Sequence, residues 1–145
     1  MAYADNYLGK DTPKLGFGMM RLPKNPDGSI DVPQTAQMVD AFLAAGGTYF
    51  DTAYVYDGGE SEIATRKALV ERYPRESYQL ATKNAAWAGG KTKESAIEQF
   101  ETSLELTGAG YFDNYLLHNL GEQRTHFFDD FEMWDFVKED EGWEE

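Results

Sequence analysis

The sequence predicts an α/β fold built from four βα units around a parallel sheet. Short segments rich in β-branched and aromatic residues alternate four times with longer segments that have helical periodicity. Strands joined by single helices pair in parallel, with right-handed crossovers. Three of these segments are followed by polar residues that can carry chemistry, at the end of the sheet where α/β folds place their active sites.

Composition narrows the possible functions. The 145 residues are 41% hydrophobic and 14% aromatic, which is enough for the core of one domain. A net charge of -13 argues against nucleic acid and against anionic membrane surfaces, because both need a basic face. The absence of cysteine excludes disulfides and thiolate metal sites. The chain starts without a signal-like segment and has no spanning apolar run, so a cytoplasmic protein is expected.

The first unit follows a polar lead-in or small hairpin at residues 1–14. Residues 15–22 form a short apolar run, which predicts the first strand and the loop after it. Asp31 is a suitable N-cap for the first helix, and Gln34 completes a capping-box pattern. The pair Gly46-Gly47 ends this helix. Its apolar face is predicted to comprise Met38, Val39, Phe42 and Leu43.

The second unit contains the stretch around which the chain is organised. Residues 48–51 predict a strand that ends on Asp51, and Tyr56 follows in the loop. The turn residues Gly58-Gly59 lead into a helix predicted at 61–72, which ends before Pro74.

The third and fourth units repeat the pattern. Residues 78–82 predict a strand with Lys83 at its end, followed by a loop at 84–90. Asn84 and Trp87 in that loop are candidate pocket residues. The third helix is predicted from the cap Thr92 to Gly108, with Ile97, Phe100 and Leu104 on one face; the fourth strand and helix are predicted at 114–117 and 129–139.

The C-terminal segment is strongly acidic. From Glu122 onward there are ten acidic residues against Arg124 and Lys138. Residues 140–145 are therefore predicted to be a solvated acidic tail outside the folded part, 1–139.

Four of the strand-end and loop residues together suit the reduction of a carbonyl. A tyrosine such as Tyr56 can donate a proton to the carbonyl oxygen, and an ammonium such as Lys83 beside a phenol favours the phenolate. A carboxylate such as Asp51 holds the lysine, and a neutral imidazole such as His118 can orient the carbonyl. A metal site is not predicted, because His118 and His126 lack a clear set of further ligands.

These residues lie in stretches that resemble the N-terminal half of the aldo-keto reductase family. The resemblance covers about residues 7–138 and keeps both the order and the spacing of the family's motifs. The stretches are Leu15-Gly16-Phe17-Gly18-Met19-Met20-Arg21-Leu22, Phe50-Asp51-Thr52-Ala53-Tyr54-Val55-Tyr56 with Gly59-Glu60-Ser61-Glu62, Ala81-Thr82-Lys83, and Tyr111-Phe112-Asp113-Asn114-Tyr115-Leu116-Leu117-His118.

The resemblance implies the N-terminal half of a (β/α)8 TIM barrel and NADPH-dependent reduction of an aldehyde or ketone to an alcohol. The family's catalytic tetrad falls on Asp51, Tyr56, Lys83 and His118. The family also implies that NADP(H) lies near Asp51 and near the loop after the first strand, Met19-Met20-Arg21. Most of the family's cofactor contacts come from strands five to eight, so the main cofactor-binding half is expected to be absent from this chain. Trp87 and His118 would contact the substrate.

A complete barrel of this kind needs about 250 residues, so this chain is expected to be a truncated copy that stops after the fourth βα unit. A fragment, a prematurely ended gene and a natural half-barrel are all compatible with this pattern. Open sheet edges favour association, and two copies pairing their edges would rebuild eight strands. Two functions follow: a carbonyl reductase, or a catalytically inactive half-barrel that binds a partner or a second copy of itself.

Overall fold

The four strands form one parallel sheet in sequential order, as predicted. The computed structural model describes residues 12–140; residues 1–11, which include most of the predicted lead-in, and residues 141–145 lie outside this range. In the sheet, β1 pairs with β2, β2 with β3, and β3 with β4. The strands are β1 Phe17–Gly18, β2 Tyr49–Asp51, β3 Gln79–Asn84 and β4 Asn114–Leu117.

Helices follow each strand, which confirms the predicted α/β fold of four βα units. The helices are α1 Val32–Ala44, α2 Glu60–Thr65 with a π-helical continuation Arg66–Val70, α3 Lys93–Thr107, α4 Thr125–Asp130 and α5 Met133–Asp140. Within residues 12–140, no helix has the length and apolar character needed to cross a membrane.

The helix caps lie where the sequence places them. The side chain of Asp31 accepts a hydrogen bond from the backbone N–H of Gln34 at 2.9 Å, at the start of α1. Thr92 and Ser95 form a reciprocal capping box at the start of α3. Gly108 ends α3 with a φ of 62°, a left-handed conformation that glycine adopts without strain.

Some predicted boundaries and one predicted face are wrong. The single helix predicted at 129–139 is two helices, α4 and α5, interrupted where Glu132 has a φ of 56°. The second of them continues to Asp140, the first residue assigned to the acidic tail. Strand β3 continues through Lys83 to Asn84, and Met38 on α1 is exposed.

The main core lies between the sheet and α1 and α2. Phe50 of β2 is fully buried and packs its ring against Phe17, Phe42 and Tyr78 at centroid distances of 5.6, 5.2 and 6.1 Å. The opposite face of the sheet is the one that would line the inside of a barrel. Paired residues of parallel strands share a face, so Lys83 and its partner Leu116 lie together there, and Leu116 is 37% exposed.

Candidate active site

The fold brings the four residues of the predicted tetrad to one rim of the sheet. Asp51 is the last residue of β2, Lys83 is the penultimate residue of β3, and His118 directly follows β4. Tyr56 begins a short 3-10 turn, Tyr56–Gly59, between β2 and α2. All four therefore lie at the carboxyl ends of parallel strands, where α/β folds position chemistry.

The turn that presents Tyr56 depends on left-handed backbone conformations. Its residues Asp57, Gly58 and Gly59 have φ values of 50°, 64° and 96°. Glycine takes such values without strain, which explains the two consecutive glycines. The N–H of Tyr56 donates to the carbonyl of Ala53 at 3.1 Å, so the tyrosine is held at the start of the turn.

The ammonium group of Lys83 makes three hydrogen bonds. Nζ lies 2.5 Å from Asp51 Oδ1, 2.7 Å from the carbonyl oxygen of Thr52 and 3.1 Å from Tyr56 Oη. An ammonium group has three N–H donors and no acceptor, so these contacts use all of them. The Lys83 side chain is only 12% exposed, so its end of the ion pair with Asp51 is shielded from bulk water.

His118 completes the rim on the other side of Tyr56. The rings of His118 and Tyr56 meet edge to face with centroids 5.6 Å apart, and Trp87 lies 5.9 Å from the imidazole. Trp87 Nε1 donates to the backbone carbonyl of His118 at 2.8 Å, which fixes the indole beside it. Burial lowers the pKa of His118, and the nearby charge of Lys83 lowers it further. The lowered pKa favours the neutral imidazole at pH 7.

A cavity of about 380 Å³ opens beside Tyr56 and His118. It contains both groups that the sequence assigns to the substrate, Trp87 and His118. It also contains residues that the sequence analysis did not single out, among them Arg124 and Asn119. The lining residues are Met20, Val55, Tyr56, Asp57, Trp87, His118, Asn119 and Arg124.

The residues expected near the cofactor occupy different environments. Met20 is 51% exposed and lines the cavity, and Arg21 is also exposed. The side chain of Met19 is fully buried, so this residue contributes only its backbone to the rim. Asn84, a candidate pocket residue, is also fully buried and donates to the carbonyl of Ala96, so that assignment is wrong.

A buried polar layer supports the rim from below. Thr52 and Ser61 are fully buried and share a hydrogen bond of 2.9 Å, and Ser61 Oγ donates to the carbonyl of Met19 at 2.7 Å. These bonds connect β2, α2 and the loop after β1. Glu62 is also fully buried and accepts a hydrogen bond from Thr82 at 2.6 Å. The sequence contains these residues in its motifs, but no local pattern assigns them a role.

A parallel sheet of four βα units in sequential order, with polar side chains at the ends of its strands, is the arrangement of half a (β/α)8 barrel. The aldo/keto reductase family model matches residues 14–141. The chain therefore belongs to the aldo/keto reductase family, as the sequence motifs predict. Among the described residues, no group of three or more His, Asp or Glu side chains is arranged to hold a metal ion.

Relatives match this chain over less than half of their own length. An aldo-keto reductase of Mycobacterium sp. (strain KMS) is 29% identical over 132 residues, which are 91% of this chain and 44% of the relative. The holo form of an aldo-keto reductase from Bacillus halodurans superposes with a TM-score of 0.67 at 29% identity, covering 88% of this chain and 42% of that one. An aldo-keto reductase from Klebsiella pneumoniae in complex with NADPH gives a TM-score of 0.60 at 26% identity, covering 81% and 40%. The four-stranded sheet is thus half of the barrel that these relatives form.

Proposed function

We propose that this protein is an NADPH-dependent carbonyl reductase of the cytoplasm, which converts a small aldehyde or ketone to an alcohol. The observation that carries the proposal is the hydrogen bonding of Lys83. Its ammonium group donates to Tyr56 Oη at 3.1 Å while Asp51 and the carbonyl of Thr52 accept its other protons. Because the phenol oxygen accepts from Lys83, its own hydrogen is free to be donated to a substrate.

Tyr56 is the proton donor in this proposal. It lines the cavity, so a carbonyl oxygen bound there can accept its O–H. As the proton leaves, negative charge develops on Tyr56 Oη, and the Lys83 ammonium stabilises it. Asp51 holds the Lys83 ammonium in place through their ion pair, so it acts as a positioning residue.

His118 orients the substrate. A neutral imidazole can donate one hydrogen bond to the carbonyl oxygen. An imidazolium would be a stronger acid than the phenol and would compete with Tyr56 as the proton donor. The lowered pKa of His118, caused first by burial and then by Lys83, favours this neutral form. Trp87 packs beside it and provides an apolar wall for the rest of the substrate.

The residues of the rim also fit the reacting end of a nicotinamide cofactor. Met20 contributes exposed apolar surface to the same cavity as Tyr56, which suits one face of a flat ring. Asp51, Met20 and Arg21 are the residues of this chain that would contact it, with Met19 contributing its backbone. When bound, NADPH supplies a hydride to the carbonyl carbon.

Titration of the purified chain with NADPH tests this proposal. The protein fluorescence is followed, and free tryptophan provides the correction for light absorbed by the cofactor. We expect saturable quenching at micromolar concentrations. Absence of binding at millimolar NADPH would overturn the proposal.

We infer a second candidate function, self-association through the open sheet, from one specific observation. In the described residues β1 and β4 each have a single neighbouring strand, and Leu116 on the inner face of β4 is 37% exposed. A second copy could place its edges against these strands and cover this apolar surface. In this second candidate function the chain is a binding module and not an enzyme.

Light scattering at micromolar protein concentration distinguishes monomer from dimer. Leu116→Lys should convert the dimer to monomer, because it places a charge on the covered face. Leu120→Lys is the matched control, since Leu120 is 49% exposed and lies outside the sheet. A monomeric mass for the unmodified chain rules out self-association.

A further inference from the structure

The cavity beside Tyr56 contains a guanidinium group whose donors have no acceptor in the described part of the chain. Arg124 immediately precedes α4 and is partly buried. The centre of its guanidinium lies over the indole ring of Trp87, 4.3 Å from the ring centroid. Within residues 12–140 the hydrogen bonds of Arg124 are made by its backbone: its N–H donates to the carbonyl of Gly121, and its carbonyl accepts from the N–H of Phe127. The guanidinium is therefore held at the cavity with its N–H groups available to a ligand.

The other charges around the cavity are already paired. Asp57 lines the same cavity, but Lys24 lies 2.9 Å from its carboxylate. Deeper in the rim, Lys83 is paired with Asp51. Within residues 12–140 Arg124 forms no ion pair, so the described residues around the cavity are locally positive in a protein whose net charge is -13. Its charge reaches the catalytic rim, because it contributes to lowering the pKa of His118 after burial and Lys83.

We propose that the cavity takes a carbonyl compound that also carries a carboxylate, and that Arg124 binds this carboxylate while the carbonyl faces Tyr56. Stacking on an aromatic ring immobilises a guanidinium and leaves its in-plane N–H groups free for a bidentate carboxylate. This inference rests on the proposed function and names its substrate class.

Two compounds that differ only in charge test the inference: 4-formylbenzoate and its methyl ester. Each is titrated into the ¹⁵N-labelled full chain without cofactor, and the indole N–H signal of Trp87 is followed. The Trp87→Phe variant identifies that signal. We expect the acid to bind about tenfold more tightly than the ester, the factor that corresponds to one charge-assisted hydrogen bond.

Arg124→Gln should weaken binding of the acid about tenfold and leave the ester nearly unchanged. Arg124→Lys should retain part of the preference, because it keeps the charge but loses the planar fork. Lys67→Gln is the matched control, since it makes the same change in net charge at an exposed position on the continuation of α2. Thermal denaturation of each variant, together with its affinity for the ester, separates loss of folding from loss of charge recognition.

Equal affinities of acid and ester for the unmodified chain would overturn the inference. So would a preference that survives in Arg124→Gln, or no saturable shift with millimolar acid. The outcome is separate from that of the NADPH titration, because no cofactor is present. A charge preference without NADPH binding supports the carboxylate site and defeats the reductase proposal, whereas NADPH binding without the preference defeats only the carboxylate site.

Discussion

Lys83 Nζ lies 2.5 Å from Asp51 Oδ1, across neighbouring strands β3 and β2. Strand register explains the contact: Asp51 pairs with Ala81, so Lys83 is two residues further along β3 on the same face. The side chain of Lys83 is 12% exposed and that of Asp51 is 31% exposed. Water therefore screens the ion pair only in part. Removing either residue leaves the other partly buried without its ion-pair partner.

Breaking this pair should destabilise the fold. Lys83→Met leaves the Asp51 carboxylate and the carbonyl of Thr52 without a donor, and we expect the free energy of unfolding to fall by about 1–2 kcal/mol. Asp51→Asn should have a similar effect. The double variant should lose less than the sum of the two single variants, because the second change removes an already unpaired group. Urea denaturation followed by circular dichroism measures all three, and strict additivity would contradict coupling.

Tyr56→Phe should abolish reduction without unfolding the protein. The substitution removes the proposed proton donor but only one hydrogen bond, from Lys83, so turnover should fall by about 100- to 10,000-fold while stability changes by about 1 kcal/mol or less. Oxidation of NADPH with an aromatic aldehyde provides the measurement. Tyr54→Phe, two residues earlier, is the matched control. Unchanged turnover in Tyr56→Phe would assign the activity to another group.

Glu62 should make stability depend on pH. Burial raises its pKa above 4.5, although the hydrogen bond from Thr82, the nearby hydroxyl of Ser103 and the charge of Lys83 oppose this. The folded state then holds the proton more tightly than the unfolded state, so stability falls as pH rises from about 4.5 through the raised pKa. Each pH unit between the two pKa values is worth about 1.4 kcal/mol.

Glu62→Gln should remove this contribution, because the amide does not ionise. The unfolding free energies of Glu62→Gln and of the unmodified chain are measured from pH 4 to 8. The two values should be closest at the acidic end, and Glu62→Gln should become the more stable protein toward neutrality. Glu60→Gln, at an exposed position of the same helix, should follow the unmodified protein. Parallel pH profiles for Glu62→Gln and the unmodified chain would show that Glu62 does not titrate differently on folding.

His118 should titrate below pH 6.5. Burial is the first cause and the charge of Lys83 the second, while Asp51 acts in the opposite direction. Below pH 6.5 the unfolded state takes up a proton that the folded state does not, so this residue's contribution to stability is lost as pH falls through the lowered pKa. The chain has two histidines, so the His126→Asn variant leaves His118 as the only imidazole signal in an NMR titration. A midpoint above 6.5 would contradict the neutral role proposed for it.

Local signals explain which parts of the fold could be predicted. Asp31 and Thr92 start helices with side-chain hydrogen bonds to nearby backbone N–H groups, and Gly108 ends one with a left-handed residue. These are short-range interactions that the sequence shows directly. The break at Glu132 has no such signal, since neither glycine nor proline occurs between residues 122 and 141. The residues on the two sides of the break are brought together by tertiary packing: Phe128 and Met133 are both fully buried in one cluster with Ala86 and Ala96.

The order and spacing of residues along the chain determined the parallel sheet and the rim. Parallel strands present their carboxyl ends on one side, so the sequence alone could assign Asp51, Tyr56, Lys83 and His118 to a common site. The tertiary structure alone decided that Lys83 uses all three of its donors, that Glu62 is buried, and that Arg124 faces the cavity over Trp87. The physical reason is that burial and charge pairing arise from contacts between segments distant in sequence, which periodicity and capping patterns do not encode.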